Sequence, residues 1–226
     1  MLPVATLLLV TFPQPALPQF DIRNASTTYD FSLSLDEDCT SDKAPMGVCE
    51  APGNLVVFLK GSAVPLQRVP LESIDVIVAD SGEPLVNSSR MYDYQGTIEV
   101  GDFDFDGHED FAVQDSEQGP YGGPTFQVFL YQPRTRQFVL ADELTDLTHT
   151  TLGFFQVDPA RKRLTTFAKS GCCYHVSEEY RVVHGAPVMV SRFTEDATGE
   201  GDVVETTEGL RGGKWVRRVV TTPRTP

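Results

Sequence analysis

The heptapeptide Tyr29-Asp-Phe-Ser-Leu-Ser-Leu35 decides the fold class, because apolar and polar residues alternate along its whole length. Successive side chains of a β-strand point to opposite faces of a sheet, so this alternation predicts a strand with one buried face. Similar runs recur about every ten residues, which predicts an antiparallel all-β architecture. They are residues 54–59, 73–79, 97–100, 111–114, 125–131, 137–141, 154–158, 163–168, 180–183, 187–193, 203–207 and 215–221.

Turn-forming residues separate the predicted strands. Gly, Pro and Asn are concentrated in segments such as Ala51-Pro-Gly-Asn54 and His184-Gly-Ala186, and these residues favour tight turns. No long helix is expected. Residues 141–147 are expected to form one helical turn with Asp142 as its cap, and residues 194–202 are expected to form a polar surface loop.

The N-terminal residues have the pattern of a targeting segment. Residues 1–12 form an apolar run as long as the central region of a signal peptide and too short to span a bilayer. We therefore predict a signal peptide at residues 1–18 and a single domain at residues 19–226. No cysteine precedes Cys39, so no lipid anchor is expected. The alternative is a short apolar N-terminal strand.

The formal net charge is −14 at pH 7. Nucleic acids and anionic membranes bind clusters of Lys and Arg, so neither is an expected partner. The charge is expected to attract cations or a basic protein partner, although acidity also keeps exported proteins soluble. Residues 30–42 are acidic and residues 211–224 are basic. The basic tail is therefore expected to form an edge strand against acidic neighbours.

Four cysteines support export to an oxidising compartment. Cys39 and Cys49 flank a loop of nine residues that one disulfide can close, and Cys172 and Cys173 are adjacent. We therefore expect the pairs Cys39–Cys49 and Cys172–Cys173, with free thiols in the second pair as the alternative. Those thiols and His175 would offer a zinc site, but adjacent cysteines bind one ion with difficulty and no fourth ligand is evident.

The strongest chemical signal is Asp102-Phe-Asp-Phe-Asp-Gly-His-Glu-Asp110, in which carboxylates alternate along a short loop. Oxygen ligands at such spacing, with Gly at position 6 for the sharp turn, are typical of a Ca²⁺ loop. An EF-hand would have Glu at position 12, where this chain has Val113, so we predict Ca²⁺ between two strands. The predicted ligands are Asp102, Asp104, Asp106, the carbonyl of His108, and Asp110. The alternative is a solvated acidic turn.

No familiar catalytic motif is present. The sequence has no nucleophile elbow, zinc-protease helix motif, phosphate loop or dinucleotide-binding glycines. Glu178 and Glu179 are adjacent in a predicted strand, so they are expected to point to opposite faces. We therefore expect a binding protein and not an enzyme. The alternative is a Ca²⁺-dependent carbohydrate-binding or adhesion module that uses Tyr92 and Tyr94.

Four segments of the chain, taken in order, resemble a known family. They are Asp104-Phe-Asp-Gly-His-Glu-Asp-Phe-Ala-Val113, Phe126-Gln-Val-Phe-Leu-Tyr131-Gln-Pro, Phe138-Val-Leu-Ala-Asp-Glu-Leu144 and Ser170-Gly-Cys-Cys-Tyr-His175. In these segments the chain resembles the periplasmic immunity proteins of antibacterial type IV secretion systems. Those proteins inhibit lysozyme-like effectors that degrade peptidoglycan.

The resemblance implies a β-propeller-like fold with a Ca²⁺ site, for which five blades or an irregular sandwich are the expected arrangements. It also implies a periplasmic protein, expected to be a monomer, that inhibits a glycoside hydrolase by plugging its cleft. A polar side chain on a loop would meet the catalytic carboxyl groups. The net charge suits such a partner, because lysozymes are usually basic.

Two tyrosines are the candidates for contact with a partner. Tyr121 lies in the segment Gln118-Gly-Pro-Tyr-Gly-Gly-Pro124, shortly after the predicted Ca²⁺ loop. An exposed tyrosine on a rigid loop gives a large contact area at low entropic cost. Tyr174 is the second candidate, because a disulfide between Cys172 and Cys173 would stiffen the adjacent turn. The alternative for Tyr121 is packing on its own sheet.

Overall fold

The structure is a computed structural model that describes residues 17–37, 48–89 and 96–224. These residues form fourteen β-strands, one α-helix and one 3₁₀ turn. The strands are β1 (Gln19–Ile22), β2 (Tyr29–Leu35), β3 (Val48–Leu59), β4 (Pro65–Ile77), β5 (Ile98–Gly101), β6 (Asp110–Ser116), β7 (Thr125–Gln132), β8 (Gln137–Leu140), β9 (Gln156–Asp158), β10 (Arg163–Ser170), β11 (Tyr174–Val183), β12 (Ala186–Asp196), β13 (Asp202–Arg211) and β14 (Lys214–Pro223). The 3₁₀ turn is Pro120–Gly122, and the helix α1 is Asp142–Thr150.

Three antiparallel sheets contain these strands. The first sheet consists of β1–β4, the second of β5–β8 and the third of β9–β14, and in each the strand order follows the chain. Such up-and-down connections need only short turns and also occur in the blades of propellers. The predicted antiparallel all-β class is confirmed. The propeller-like arrangement of the sheets stays a prediction.

The second sheet lies between two hydrophobic cores. Phe111, Val113 and Phe129 pack against the first sheet, whereas Ala112 and Phe126 pack against α1 and the third sheet. Neighbouring residues of a strand point to opposite faces, so Phe111 and Ala112 belong to different cores. A sheet that is buried on both faces requires apolar residues at successive positions, as in β6 and β7.

The heptapeptide that indicates the fold class forms β2, as predicted. Its side chains alternate between buried and half-buried along the whole strand. Tyr29, Phe31, Leu33 and Leu35 all contribute to the first core. Each buried apolar side chain of this size stabilises the fold by about 1.5–3 kcal/mol. The alternation therefore determines which face of the first sheet meets the second sheet.

The first sheet contains a β-bulge where the sequence indicates a turn. Ala51-Pro-Gly-Asn54 lies inside β3, and the pairing register with β4 shifts between Ala51 and Gly53. A Cβ atom on Gly53 would lie 2.3 Å from the carbonyl oxygen of Ser34, so only glycine allows β2 to approach here. The expected turn was wrong, because this glycine serves close strand packing.

Helix α1 replaces the single turn expected at residues 141–147. It has nine residues, with Ala141 at its N-cap and Asp142 in its first turn, so the expected cap at Asp142 was wrong. Thr148 Oγ1 accepts a hydrogen bond from Phe126 N and donates one to Phe126 O, both at 2.9 Å. These contacts with β7 stabilise a helix that has few apolar residues of its own.

The third sheet contains the segments that the sequence predicts as a polar surface loop and as a basic edge strand. β12 runs to Asp196, so only part of the loop expected at residues 194–202 is outside strands. β14 is an edge strand beside β13, as predicted for the basic tail. Glu208 of β13 lies opposite Arg217 of β14.

The predicted signal peptide lies mostly outside the described residues. Only Leu17 and Pro18 of that segment are described, and the Pro18 carbonyl accepts a hydrogen bond from Leu35 N (3.0 Å). The signal peptide and its boundary stay predictions. Within the ranges that the structure describes, no helix has both the length and the apolar character needed to cross a membrane.

Candidate functional site

The acidic loop connects β5 and β6, so the predicted strand–loop–strand context is confirmed. Two of its residues have positive φ angles, Phe105 at 64° and Gly107 at 95°. Gly107 occupies the position at which the sequence predicts a sharp turn, and glycine adopts this conformation at little cost. Phe105 adopts it only because the surrounding contacts hold the backbone in place.

Three of the predicted ligands lie together in this loop. The carboxylates of Asp102, Asp104 and Asp106 each offer an oxygen, and these oxygens lie within 4.8 Å of one another. Burial, and then the nearby charge of Asp106, raise the pKa of Asp104. Like charges at such distances repel one another unless a cation or a proton neutralises them. The loop also folds onto these carboxylates, because Asp102 accepts hydrogen bonds from Asp106 N and Gly107 N, both at 3.0 Å.

Asp110 closes the loop through its backbone contacts. Its side chain is buried, and its two oxygens accept hydrogen bonds from Phe103 N (2.7 Å) and Tyr131 N (2.8 Å). Burial raises the pKa of Asp110 to about 8, and the charges of Asp104 and Asp102 also act to raise it. The start of the loop is thereby fixed to β7. A direct bond from Asp110 to Ca²⁺ stays a prediction.

His108 was predicted to offer its backbone carbonyl, and that role also stays a prediction. Its side chain lies 3.0 Å from Asp106, measured between Nδ1 and Oδ1. The imidazole ring packs beside Tyr131, with 5.4 Å between the ring centroids. The side chain therefore positions the second half of the loop against β7.

The loop contacts all three sheets. Glu109 accepts a hydrogen bond from Ser26 Oγ (2.6 Å) in the turn before β2, and Lys162 Nζ donates one to the Phe105 carbonyl (3.1 Å) from the turn before β10. Phe103 is buried in the second core, with its ring centroid 5.4 Å from that of Phe154. An ion bound here would therefore fix the junction of the three sheets.

Glu109 was not among the residues predicted from the sequence. Burial acts to raise its pKa, but hydrogen bonds from Ser26, Thr28 and Thr27 outweigh burial and lower the pKa below its usual value. Glu109 is thus held as a carboxylate that connects the loop to the first sheet. The sequence offers no signal for this role, because Ser26 is 83 positions away.

Tyr121 lies on the 3₁₀ turn between β6 and β7 and is 63% exposed. Its φ of 60° is unusual for a residue with a Cβ atom. Two contacts fix the ring at the edge of the third sheet. The tyrosine oxygen accepts a hydrogen bond from Gly171 N (2.6 Å), and Lys169 Nζ lies 4.8 Å from the ring centroid. The ring is therefore exposed and also held in place.

Gly171 begins the turn that contains the Cys172–Cys173 disulfide, which confirms that predicted pair. The alternative zinc site is excluded by this bond, because neither sulfur is available as a thiolate. His175 Nδ1 instead lies 3.0 Å from Glu195 Oε1. Cys39 lies outside the described residues, so its pairing with Cys49 stays a prediction, although Cys49 is itself disulfide-bonded. Tyr92 and Tyr94 also lie outside the described residues.

Tyr174 follows the disulfide but faces away from Tyr121. In the pairing of β10 with β11, Tyr174 lies opposite Ser170, whereas Lys169 lies opposite His175. Tyr174 is therefore on the other face of the sheet from Lys169, the residue that contacts Tyr121. Tyr174 lines a groove of about 740 Å³ along the third sheet. The two candidate tyrosines flank one turn but do not form one surface.

The groove also contains Glu178, and here the expectation for the paired acids is confirmed. Glu178 accepts a hydrogen bond from Arg192 Nε (2.6 Å) and another from the Tyr180 hydroxyl. Glu179 instead forms a two-point contact with Arg161 (2.7 and 2.9 Å). Only Glu178 of the pair lines the groove. The two carboxylates therefore cannot act together on one substrate.

The chain is similar to a solved structure of a Xanthomonas type IV secretion system related protein. The two share 25% sequence identity with a TM-score of 0.70, and the match covers 92% of this chain and 97% of the other. No family model matches the chain, and no curated protein matches it. The similarity therefore extends over nearly the whole of both folds.

Proposed function

We propose that this chain is an exported immunity protein of an antibacterial type IV secretion system. It binds and inhibits a lysozyme-like hydrolase of peptidoglycan, and it contains a structural Ca²⁺ site. The similarity to a type IV secretion system related protein over 92% of the chain supports the association with such a system. The observation that carries the inhibitor role is the exposed and fixed ring of Tyr121.

Tyr121 is suited to enter the cleft of a partner. Its oxygen already accepts the hydrogen bond from Gly171 N, and no acceptor for its hydroxyl hydrogen lies among the described residues. That hydrogen can therefore be donated to a carboxyl group of the partner, and glycoside hydrolases have two such groups at the scissile bond. Because the ring is fixed before binding, little entropy is lost in the complex. Glu117 and Leu152 lie beside it around a cavity of about 400 Å³.

The net charge supports a basic partner. A chain of charge −14 attracts a positively charged hydrolase over a long range and increases the association rate. This effect weakens as salt screens the charges. We further propose that the chain is a periplasmic monomer with no catalytic activity, since Glu178 and Glu179 contact different arginines.

The proposed Ca²⁺ has a structural role. The donors Asp102, Asp104 and Asp106 are hard oxygen ligands, and carboxylates within 4.8 Å of one another suit a divalent cation. The His108 carbonyl and Asp110 complete the proposed set. The ion would neutralise the loop and hold β5 and β6 against the first and third sheets. Mg²⁺ suits the loop less well, because it demands stricter octahedral geometry and releases its water reluctantly.

The test is a peptidoglycan-lysis assay with a basic muramidase and the purified chain, with Ca²⁺ or with a chelator. We expect an equimolar amount of the chain to stop lysis in Ca²⁺. Tyr121→Ala should weaken inhibition by about tenfold or more, because buried tyrosines are frequent binding hot spots. Tyr121→Phe separates the role of the hydroxyl from that of the ring.

Val64→Ala is the matched control, because Val64 is also strongly exposed (73%) but lies in the turn before β4. It should inhibit like the unmodified chain. Unchanged lysis at equimolar protein, across a set of basic muramidases, would refute the inhibitor role. Normal inhibition by Tyr121→Ala would remove that residue from the interface. Binding to a glycan array without inhibition would instead support the carbohydrate-binding module.

A further inference from the structure

β14 is an edge strand with unusual exposure. It has ten residues, pairs with β13 on one side, and ends the third sheet on the other. Every residue of the strand is exposed. The outer side of such a strand presents backbone N–H and C=O groups that can pair with another strand, and proteins usually protect long edges of this kind.

Apolar side chains lie on both faces of β14. Trp215 and Val216 are 49% and 50% exposed, and Val219 and Val220 are 49% and 36% exposed. Since adjacent residues of a strand point to opposite faces, each face carries two of these four side chains. An added strand would cover apolar groups on both faces at once, because its own side chains lie beside those of β14.

The charge of β14 is opposite to that of the whole chain. The strand contains Lys214, Arg217 and Arg218 and no acidic residue, whereas the chain carries a net charge of −14. On the inner side, Arg217 lies opposite Glu208, but Arg218 lies opposite Thr207. A cross-strand acidic residue is thus present for one arginine and missing for the other. A strand that pairs with the outer side of β14 would be stabilised by acidic residues opposite both arginines.

We propose that β14 is a docking edge to which an acidic, extended segment of another protein adds as a seventh strand. The segment would have two adjacent acidic residues opposite Arg217 and Arg218, with apolar residues on either side of them. Backbone hydrogen bonds would give affinity, and these side-chain pairs would give specificity. This inference does not rest on the proposed inhibitor function, because it is argued from the exposure and charge of β14 and not from Tyr121.

Charge also argues against a second copy of this chain as the occupant. Antiparallel pairing of two β14 strands about Arg217 and Arg218 would place the arginines of the two copies opposite each other, and no other register would offer them an acidic residue, because neither strand has one. Such like-charge pairs are destabilising. An anionic membrane is also a poor match, because unpaired strand edges are not tolerated in the hydrocarbon region.

Trp215 makes the test direct, because it is the single tryptophan of the chain. The full chain is titrated with the synthetic peptide Thr-Val-Ile-Glu-Glu-Ile-Val-Thr while tryptophan fluorescence is recorded. We expect a saturable blue shift, since the added strand removes the indole from water. A peptide with Lys in place of both Glu should give no shift. A peptide N-methylated at alternate residues should also give none, because it cannot form the backbone hydrogen bonds.

The double variant Arg217→Glu and Arg218→Glu should bind the acidic peptide at least about tenfold more weakly and should gain binding of the lysine peptide. The matched control is Arg134→Glu with Arg136→Glu, two exposed arginines in the turn between β7 and β8. The control should bind like the unmodified chain. Circular dichroism of both variants establishes that the sheets are retained.

Three results would overturn the proposal. The first is no fluorescence shift at millimolar acidic peptide. The second is a dimer of the free chain in sedimentation that the acidic peptide dissociates, since a second copy would then occupy the edge. The third is a larger Trp215 shift with phosphatidylglycerol vesicles than with the peptide, since the edge would then be a membrane-docking surface. Retained muramidase inhibition by the double charge-reversal variant would keep the two proposals distinct.

Discussion

The acidic loop at residues 102–110 and the strand β14 use charge in opposite ways. Carboxylates of the loop are partly buried and accept hydrogen bonds from backbone groups around them. Burial and the charges of the neighbouring carboxylates raise the pKa of Asp104. Glu109 contacts the first sheet, and the Phe105 carbonyl contacts the third sheet. In β14 the charged residues are exposed and follow one edge. Changes in the loop should therefore alter stability, and changes in β14 should alter binding alone.

The largest expected effect is at the apolar anchor of the loop. Phe103→Ala should lower the free energy of unfolding by about 3–5 kcal/mol, because Phe103 is 2% exposed and its removal would leave a cavity beside Phe154 and Phe155. Phe105→Ala, in the same loop, is the control and should cost about 1 kcal/mol, since Phe105 is only partly buried. Urea denaturation measures both. Equal losses would mean that Phe103 does not anchor the loop.

The next effect depends on Ca²⁺. Ca²⁺ at a hundred times its Kd should raise the free energy of unfolding by about 2.7 kcal/mol in the unmodified chain. Asp104→Asn should remove most of this gain, because Asp104 is one of the three clustered carboxylates. Thermal unfolding with Ca²⁺ and with chelator measures the difference.

Asp80→Asn provides the comparison for the calcium experiment. It removes one exposed carboxylate in the turn after β4 and should leave the gain from Ca²⁺ intact. The structural role of the ion would be contradicted if Asp104→Asn lost the same stability in chelator as in Ca²⁺. It would also be contradicted if Ca²⁺ failed to stabilise the unmodified chain.

Local sequence patterns correctly predict the structural features that depend only on residues close together in the sequence. The alternation of residues 29–35 reproduces the burial of β2, and the loop at residues 102–110 lies between two strands as its flanks indicate. The adjacent cysteines are bonded to each other, and the adjacent glutamates face opposite ways. In each case the residues that determine the feature lie within a few positions of one another in the sequence.

Contacts between distant parts of the chain could not be predicted in this way. Lys162 and Phe105 are 57 positions apart, and Tyr121 and Gly171 are 50 positions apart. Gly53 resembled a turn residue, because its close approach to Ser34 depends on strand pairing. Helix α1 likewise depends on hydrogen bonds to β7. The binding role of Tyr121 therefore becomes a specific hypothesis only once the fold shows that its ring is exposed and held in place.

The third prediction concerns Asp75, a carboxyl group that is buried between the first and second sheets. Burial raises the pKa of Asp75 to about 6. The unfolded chain releases this proton near pH 4, so the native state binds more protons between these values and loses stability as the pH rises. Asp75→Asn should therefore be more stable than the unmodified chain at pH 7, by about 2–3 kcal/mol, with little difference at pH 4.

The geometry around Asp75 favours this substitution. Its Oδ2 accepts a hydrogen bond from Gln114 Nε2 (3.1 Å), while Asp75 Oδ1 and Gln114 Oε1 are buried with no partner among the described residues. The side-chain amide that Asp75→Asn introduces could donate to Gln114 Oε1 and keep the existing bond. Urea denaturation from pH 4 to pH 8 measures the difference. Parallel stability curves for the two proteins would show that Asp75 does not titrate in this range.

The smallest expected effect is in β14. Trp215→Ala should change the free energy of unfolding by less than about 0.5 kcal/mol, because the ring is 49% exposed and lies on a strand with one neighbour. The same substitution should weaken binding of the acidic peptide, followed by calorimetry because the fluorophore is absent. A loss of stability comparable to that of Phe103→Ala would make Trp215 a structural residue. That result would contradict a role of Trp215 in binding alone. A small loss of stability with a large loss of affinity would establish that β14 serves binding, whereas the acidic loop at residues 102–110 serves stability.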